Sequence, residues 1–346
     1  MIDDLRRLRL RAQRLAPRHA GGAAGLVRAL GGVQAQDPTA AALAIRARTP
    51  GLTMADVERA RVEERSVVRT WAMRGTLHLV AAEDVRWLLR LLGPRLVAAD
   101  RRRRAELGLD EAASVRGVEV IRDRLAGAGA STRAEVAAAL AAAGIPHEGQ
   151  ATVHLLFRAA LEGHLCHGPR RDGEPTFVPL EGWLPPMPEG PPDPLAVLAR
   201  RYRASHAPGT AADFAYWSGL GAAEARAGWA ATDDAAAGED AVEAPAEPVV
   251  RLLPAFDEYL LGWRDRSFAV PAAHARRVHP GGGLIQPVVL VDGRAAATWR
   301  RAARGDRLEV CVEPFEALPA ELRPALEAEA DEVGRFLGVT AALGGV

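Results

Sequence analysis

Val67-Val68-Arg69-Thr70-Trp71-Ala72-Met73-Arg74-Gly75-Thr76-Leu77-His78-Leu79-Val80 is the stretch from which the fold is read. Apolar and polar residues alternate on both sides of Arg74-Gly75, the pattern of two half-buried strands joined by a turn. Upstream, 25–30, 38–48 and 54–62 carry helical periodicity, so three helices close on a two-stranded ribbon. That is the element order of a winged helix. It recurs downstream, where helices over 115–125, 133–142 and 151–161 precede strands around 163–167 and 176–179. Gly168-Pro169-Arg170-Arg171-Asp172-Gly173 forms the wing between those strands. A third set places helices over 195–205, 211–217 and 222–229 before strands that begin at Val249.

Thr-x-x-acid helix starts at Thr53, Thr132 and Thr210 are spaced by 79 and 78 residues, which fits a repeated module. The expected fold class is therefore α+β, with three tandem winged-helix (helix-turn-helix) repeats. The expected units are 1–110, 111–184 and 193–346, with a Pro-rich linker over 185–192. The C-terminal part is richer in strand, over 284–291, 295–301 and 308–312, with Asp292-Gly293 as a tight hairpin turn and a closing helix over 320–337.

At 346 residues the chain is long enough for several modules, and 49% hydrophobic with 25% charged residues is ordinary for a globular protein. Nothing approaches the roughly 20 apolar residues of a membrane span, and Asp3, Asp4, Arg6 and Arg7 occupy the place of a signal-peptide core. No membrane association and a cytoplasmic location are expected. The two cysteines, Cys166 and Cys311, write no disulfide framework and read as small buried hydrophobes.

The net charge of zero does not advertise a polyanion as partner, but its distribution does. Residues 1–110 hold 21 Arg against 12 Asp and Glu, while Asp233, Asp234, Glu239, Asp240, Glu243 and Glu247 carry acid without compensating base. A basic face and an acidic back are compatible with phosphate binding. Every basic residue is Arg, and Lys is absent.

Several chemistries lack their residues. A phosphate-binding Gly-x-x-x-x-Gly-Lys loop is impossible without Lys, and no Gly-x-Gly-x-x-Gly follows a strand, so no nucleotide cofactor is expected. No Ser occupies a Gly-x-Ser-x-Gly elbow. The nearest metal-like run, His164-Leu165-Cys166-His167, reads as a strand entering a wing, so neither a metal nor another cofactor is expected.

The most informative stretch for chemistry is Val33-Gln34-Ala35-Gln36-Asp37-Pro38. Gly31-Gly32 ends the preceding helix, Asp37 is placed to cap the next one and Pro38 to occupy its first turn. Two Gln two residues apart point oppositely on a helix but share a face in an extended segment, so here they project together from a connector. On the residues alone two readings are open: amides that cap helix ends, or amides that face a site.

The chain resembles the winged-helix DNA glycosylases of the AlkZ and YcaQ type over nearly its whole length. The resemblance is carried by Gln34-Ala35-Gln36-Asp37-Pro38, by 69–78, by Leu253-Pro254-Ala255-Phe256-Asp257-Glu258-Tyr259, and by Val289–Arg294 leading to Thr298-Trp299-Arg300. It implies three winged-helix motifs forming a C-shaped DNA-binding channel, a catalytic Gln-x-Gln motif matched by Gln34 and Gln36, and a β-hairpin that touches DNA. We expect that hairpin between Ser267 and Val291.

The implied partner is double-stranded DNA carrying alkylated purines, bound by a monomer. The implied activity is hydrolysis of the N-glycosidic bond of N7-alkylguanine, extending to bulky adducts and interstrand crosslinks, in DNA repair or self-resistance. Two neutral amides suit that task, because an N7-alkylated base already carries positive charge and departs without protonation. What is left is to hold and orient a water. Without Lys, only the chain N-terminus offers an amine to form an imine, so a monofunctional enzyme is expected. Arg74, His78, Arg276, Arg277 and His279 are the expected DNA contacts; for each the alternative is an exposed, solvated loop. Arg101–Arg104 are either a grip on the DNA backbone or a solvated helix face. Trp71 and Trp299 read as core. The rival functions are a non-catalytic winged-helix transcriptional regulator, which would show sequence preference and leave alkylated DNA intact, and a scaffold that binds protein or a drug.

Overall fold

The computed structural model describes residues 2–186, 190–232, 247–305 and 307–344. Its elements are of mixed α and β type, and they group into two compact units: Met1–Glu58 with Leu195–Val346, and Arg59–Pro194. The break near Glu58 falls inside the expected unit 1–110. The reason lies in the packing. The helix Pro38–Arg48 lies on a C-terminal strand, with Arg46 donating to the Leu252 carbonyl at 2.6 Å, whereas the strands that follow Glu58 pack on the helices Ala82–Ala99 and Ala151–Leu161. Of the expected linker, 187–189 lie outside the described residues, as do Asp233, Asp234, Glu239, Asp240 and Glu243 of the acidic stretch.

The strands are β1 (Val33–Gln34), β2 (Val67–Trp71), β3 (Leu77–Ala81), β4 (Ser131–Thr132), β5 (Leu165–His167), β6 (Thr176–Pro179), β7 (Val250–Leu253), β8 (Val288–Val291), β9 (Arg294–Arg304), β10 (Arg307–Pro314) and β11 (Ala341–Leu343). Within Arg59–Pro194 they lie in the order β3-β2-β5-β6-β4. The antiparallel β2–β3 pair turns through Arg74 and Gly75, both at left-handed φ. The helix Glu111–Ala128, then β4, the helices Arg133–Ala142 and Ala151–Leu161, and finally β5 and β6 follow the winged-helix order. Thr132 opens its helix with a full capping box to Glu135, and Thr210 does the same with Asp213. Trp71 is core, stacked parallel to Phe177 and edge-on to Phe157.

In the other unit the sheet order is β11-β10-β9-β8-β7, antiparallel except where β10 meets β11. Asp292-Gly293 makes the β8–β9 turn with φ of 47° and 80°, the positive pair that a two-residue type I′ hairpin needs. The helix Arg323–Leu337 covers β7 and β11. Its Glu329 and Glu332 receive Arg18 and Arg46 at 2.6–3.2 Å.

Two expectations need correction. The segment Ser267–Val291, where a hairpin was expected, holds a helical turn at Ala275–Val278 and a tight turn with a single antiparallel bridge between Gly281 and Leu284, and no two of its strands pair with each other. Gly281, Gly282 and Gly283 all have positive φ, and Pro287 precedes a strand of only four residues. A longer hairpin is formed by β9 and β10, paired from Ala297↔Pro314 to Arg304↔Arg307.

His78 was expected on an exposed strand face. It is completely buried, because β3 is covered on both faces, and its Nδ1–H donates to the Thr76 carbonyl at 2.9 Å. Burial, aided by Arg74, lowers its pKa to about 3, so the ring is neutral at physiological pH and is not presented to a phosphate.

A buried neutral histidine makes stability depend on pH. Between about pH 3 and its ordinary value near 6.5 the unfolded chain binds a proton that the folded chain refuses, so stability falls as pH drops through that window. His78 alone should remove about 2 kcal/mol between pH 7 and pH 5. Denaturant unfolding at both pH values should show the difference shrinking by that amount in His78→Gln.

Candidate active site

The connector between the helices Ala23–Leu30 and Pro38–Arg48 begins where the first of these ends. Gly31 takes the left-handed conformation, φ 78°, and its N–H donates to the Arg28 carbonyl while that of Gly32 donates to Val27. A β-carbon at Gly31 would lie 3.2 Å from Cη2 of Trp217, so glycine allows both the turn and the close approach of the indole. The chain then extends through β1 and bends at Gln36. Asp37 caps the next helix, its carboxylate accepting from the Thr39 and Ala40 amides at 2.8 and 3.2 Å, with Pro38 in the first turn.

The two glutamines differ in exposure. Ala35 between them is fully buried, Gln34 is 8% exposed and Gln36 is exposed. The Gln34 backbone N–H donates to Oε1 of Glu258 at 2.7 Å, and Oε2 of the same carboxylate accepts from the Trp217 indole N–H at 3.3 Å. Glu258 and Trp217 are both fully buried. A carboxylate taken out of water is costly unless it is bonded, and here two N–H donors converge on its two oxygens.

The neighbouring carboxylate, Asp257, is equally buried and grips the far end of the same helix. Arg48 donates to both Asp257 oxygens at 2.7 and 2.8 Å, to the main chain and side chain of Gln13 at 2.9 Å each, and to the Ala44 carbonyl at 3.0 Å. All five guanidinium N–H donors are thereby used. The bond to Ala44, one turn back, shows the side chain running up the helix toward the connector. Asp257 also caps the turn Glu258–Leu261 through the Tyr259 amide. Phe256 just before it stands at φ 57°, a left-handed conformation that costs a non-glycine residue about 1 kcal/mol or more. That strained turn presents Asp257 and Glu258 side by side.

Asp257 and Glu258 were missed as site residues in the sequence. Nothing local marks two adjacent acids as buried, and their partners lie 209 and 224 residues away. The one available signal was the cluster Leu253–Tyr259 itself, in which two acids interrupt an apolar run.

The other expected site residues are distributed as follows. Arg74 is half-buried at the β2–β3 turn. Arg276 and Arg277 are exposed on the short helix Ala275–Val278, but Arg277 donates to the Pro314 and Glu313 carbonyls and lies over the Phe315 ring. His279 is half-buried and, through burial and the nearby Arg266, has its pKa lowered, so it brings no charge at neutral pH. Arg104 of the Arg101–Arg104 run is buried against Asp100 and the Val97 carbonyl, whereas Arg101, Arg102 and Arg103 are exposed. The hairpin β9–β10, not singled out in advance, exposes Arg300, Arg301, Arg304 and Arg307 toward its tip.

The run His164–His167 does not form a ligand set. Cys166 is buried and its thiol is pushed up to about 12, and His167 Nδ1 faces Arg69 at 3.3 Å. Among the described residues no group of three or more His, Cys, Asp or Glu is placed to hold a metal ion, and no helix is long and apolar enough to cross a membrane.

The connector thus holds Gln34 and Gln36 at fixed main-chain positions beside the buried Glu258 side chain, with the exposed Asp37 carboxylate engaged in capping the next helix. A family model described as DNA glycosylase AlkZ-like matches residues 27–336. The interstrand DNA cross-link repair glycosylase of Streptomyces sahachiroi is 30% identical over 96% of this chain and 95% of its own length. The solved structure of the Streptomyces sahachiroi DNA glycosylase AlkZ superposes with a TM-score of 0.80 at 26% identity, covering 99% of both chains. This chain belongs to the AlkZ-like family of DNA glycosylases.

Proposed function

We propose that this chain hydrolyses the N-glycosidic bond of N7-alkylated purines in duplex DNA, with Gln34 and Gln36 holding the attacking water. The observation that carries the reading is the Gln34-Ala35-Gln36 connector, whose backbone is fixed by a buried carboxylate on one side and a capped helix on the other. Chemically, the departing base is already cationic, so the enzyme has no leaving group to protonate. Its task is to place a water against the sugar as positive charge develops there, and amide oxygens held in place do that without reorganising.

The substrate range extends to bulky adducts and interstrand crosslinks, in repair or in resistance to a self-made toxin. The name of the Streptomyces sahachiroi relative supports this extension. Three winged-helix repeats receive the duplex; their element order and the capping boxes at Thr132 and Thr210 support that reading. The exposed arginines of β9–β10 make this hairpin the best candidate for the DNA-touching element, with Arg74, Arg276 and Arg277 as further phosphate contacts. His78 is not among them, and His279 contributes no charge. The protein acts as a monomer in the cytoplasm.

Changing both glutamines to Ala should abolish release of N7-methylguanine from duplex DNA while duplex affinity is retained, since losing a single preorganised group already costs on the order of 100-fold. Full activity in the double variant contradicts the assignment. With no Lys in the chain the product should be an intact strand bearing an abasic site. Borohydride added during turnover should therefore trap no covalent protein–DNA adduct.

A further inference from the structure

The geometry points to Glu258 as a positioning residue of the glycosylase reaction: its buried carboxyl group holds Gln34, and with it the water-holding connector, in register. The inference rests on the reading that Gln34 and Gln36 hold that water. Glu258 is fully buried and cannot itself meet the DNA, so it acts through Gln34, whose N–H it receives at 2.7 Å. The other oxygen is fixed by the indole of Trp217, and that indole is in turn wedged against Gly31 at the start of the connector. Carboxylate, indole and glycine turn therefore form one closed contact around the segment that carries the amides.

One feature argues for more than a packing role. The acceptor of the Gln34 N–H comes from a side chain 224 residues away in sequence and is held from the other side by the Trp217 indole, so the position of the connector depends on this distant group as well as on its own helix neighbours.

Glu258→Gln preserves shape and sets an amide NH2 against one of the two N–H donors. Single-turnover release of N7-methylguanine should slow about 100-fold, with duplex affinity unchanged and the thermal midpoint lowered by the one N–H donor left opposed. Trp217→Phe keeps one aromatic ring but removes both the indole N–H and the part of the indole that lies against Gly31, and it should slow release about 10-fold at unchanged affinity. If Glu258→Gln fails to fold, this second variant decides, and a wild-type rate in it overturns the proposal. A wild-type rate in a folded Glu258→Gln overturns it as well. So does a rate loss matched by an equal loss of affinity, which is what a purely structural role produces. The Gln34→Ala/Gln36→Ala double variant, assayed in parallel, separates the two assignments. If it is inactive while Glu258→Gln works normally, only the role of Glu258 falls. If it is fully active, the water-holding reading falls.

Discussion

Arg48 and Asp257 are both fully buried, and their two-pronged contact fixes the Gln34–Gln36 connector to the rest of its unit. Bringing two charges out of water costs several kcal/mol per ion, and the attraction between them repays this only when the remaining donors and acceptors are satisfied. Here they are: Gln13 and Ala44 take up the other guanidinium donors, and the Tyr259 amide donates to Asp257. Removing one partner from such a pair costs about 3–5 kcal/mol, because the survivor is left charged and unsolvated. The pair therefore ties helix Pro38–Arg48 to the turn after Phe256. With that tie in place, Glu258 arrives at the Gln34 amide on the adjoining residue.

The chain thus uses one acidic dipeptide for two tasks. Asp257 anchors the C-terminal end of the helix, and Glu258 sets the extended segment before its N-terminal end. The strain at Phe256 is consistent with this division, since a left-handed turn there lets consecutive side chains reach partners on different stretches of chain. Arg46, two residues before Arg48, makes a comparable tie to Glu329, Glu332 and the Leu252 carbonyl, so the same helix is also bound to the C-terminal sheet. A rigid support of this kind is what a water-positioning site needs, because misplacement by about 1 Å can cost on the order of 100-fold in rate.

What was legible in the sequence was local. Asp37 and Pro38, the boxes at Thr132 and Thr210, and the Asp292-Gly293 turn all act over two to four residues, and a residue type with its spacing specifies them. What was illegible depends on distant partners. Arg46 and Arg48 look like the solvated end of a helix until strand β7 and the Phe256 turn cover them. Alternation along Thr76-Leu77-His78 suggested a polar outer face, but β3 is covered on both sides, where the two-residue period no longer sorts inside from outside. The hairpin was expected between Ser267 and Val291, yet the glycines at 281–283 make a tight turn, and a longer β-ribbon forms around Gly305, flanked by exposed arginines. The Gln-x-Gln pair was found because of its resemblance; its carboxylate support was not, because nothing in adjacent sequence marks Glu258 as buried.

The central claim is that the connector is locked to a buried carboxylate and does not flex as a surface loop. Native-state hydrogen exchange of the Gln34 amide measures this directly, since that N–H is the one Glu258 receives. The account predicts exchange only through global unfolding, with the same protection and the same denaturant dependence as amides in the middle of helix Pro38–Arg48. Rapid exchange of Gln34 that is insensitive to denaturant, while the helix stays protected, would contradict it.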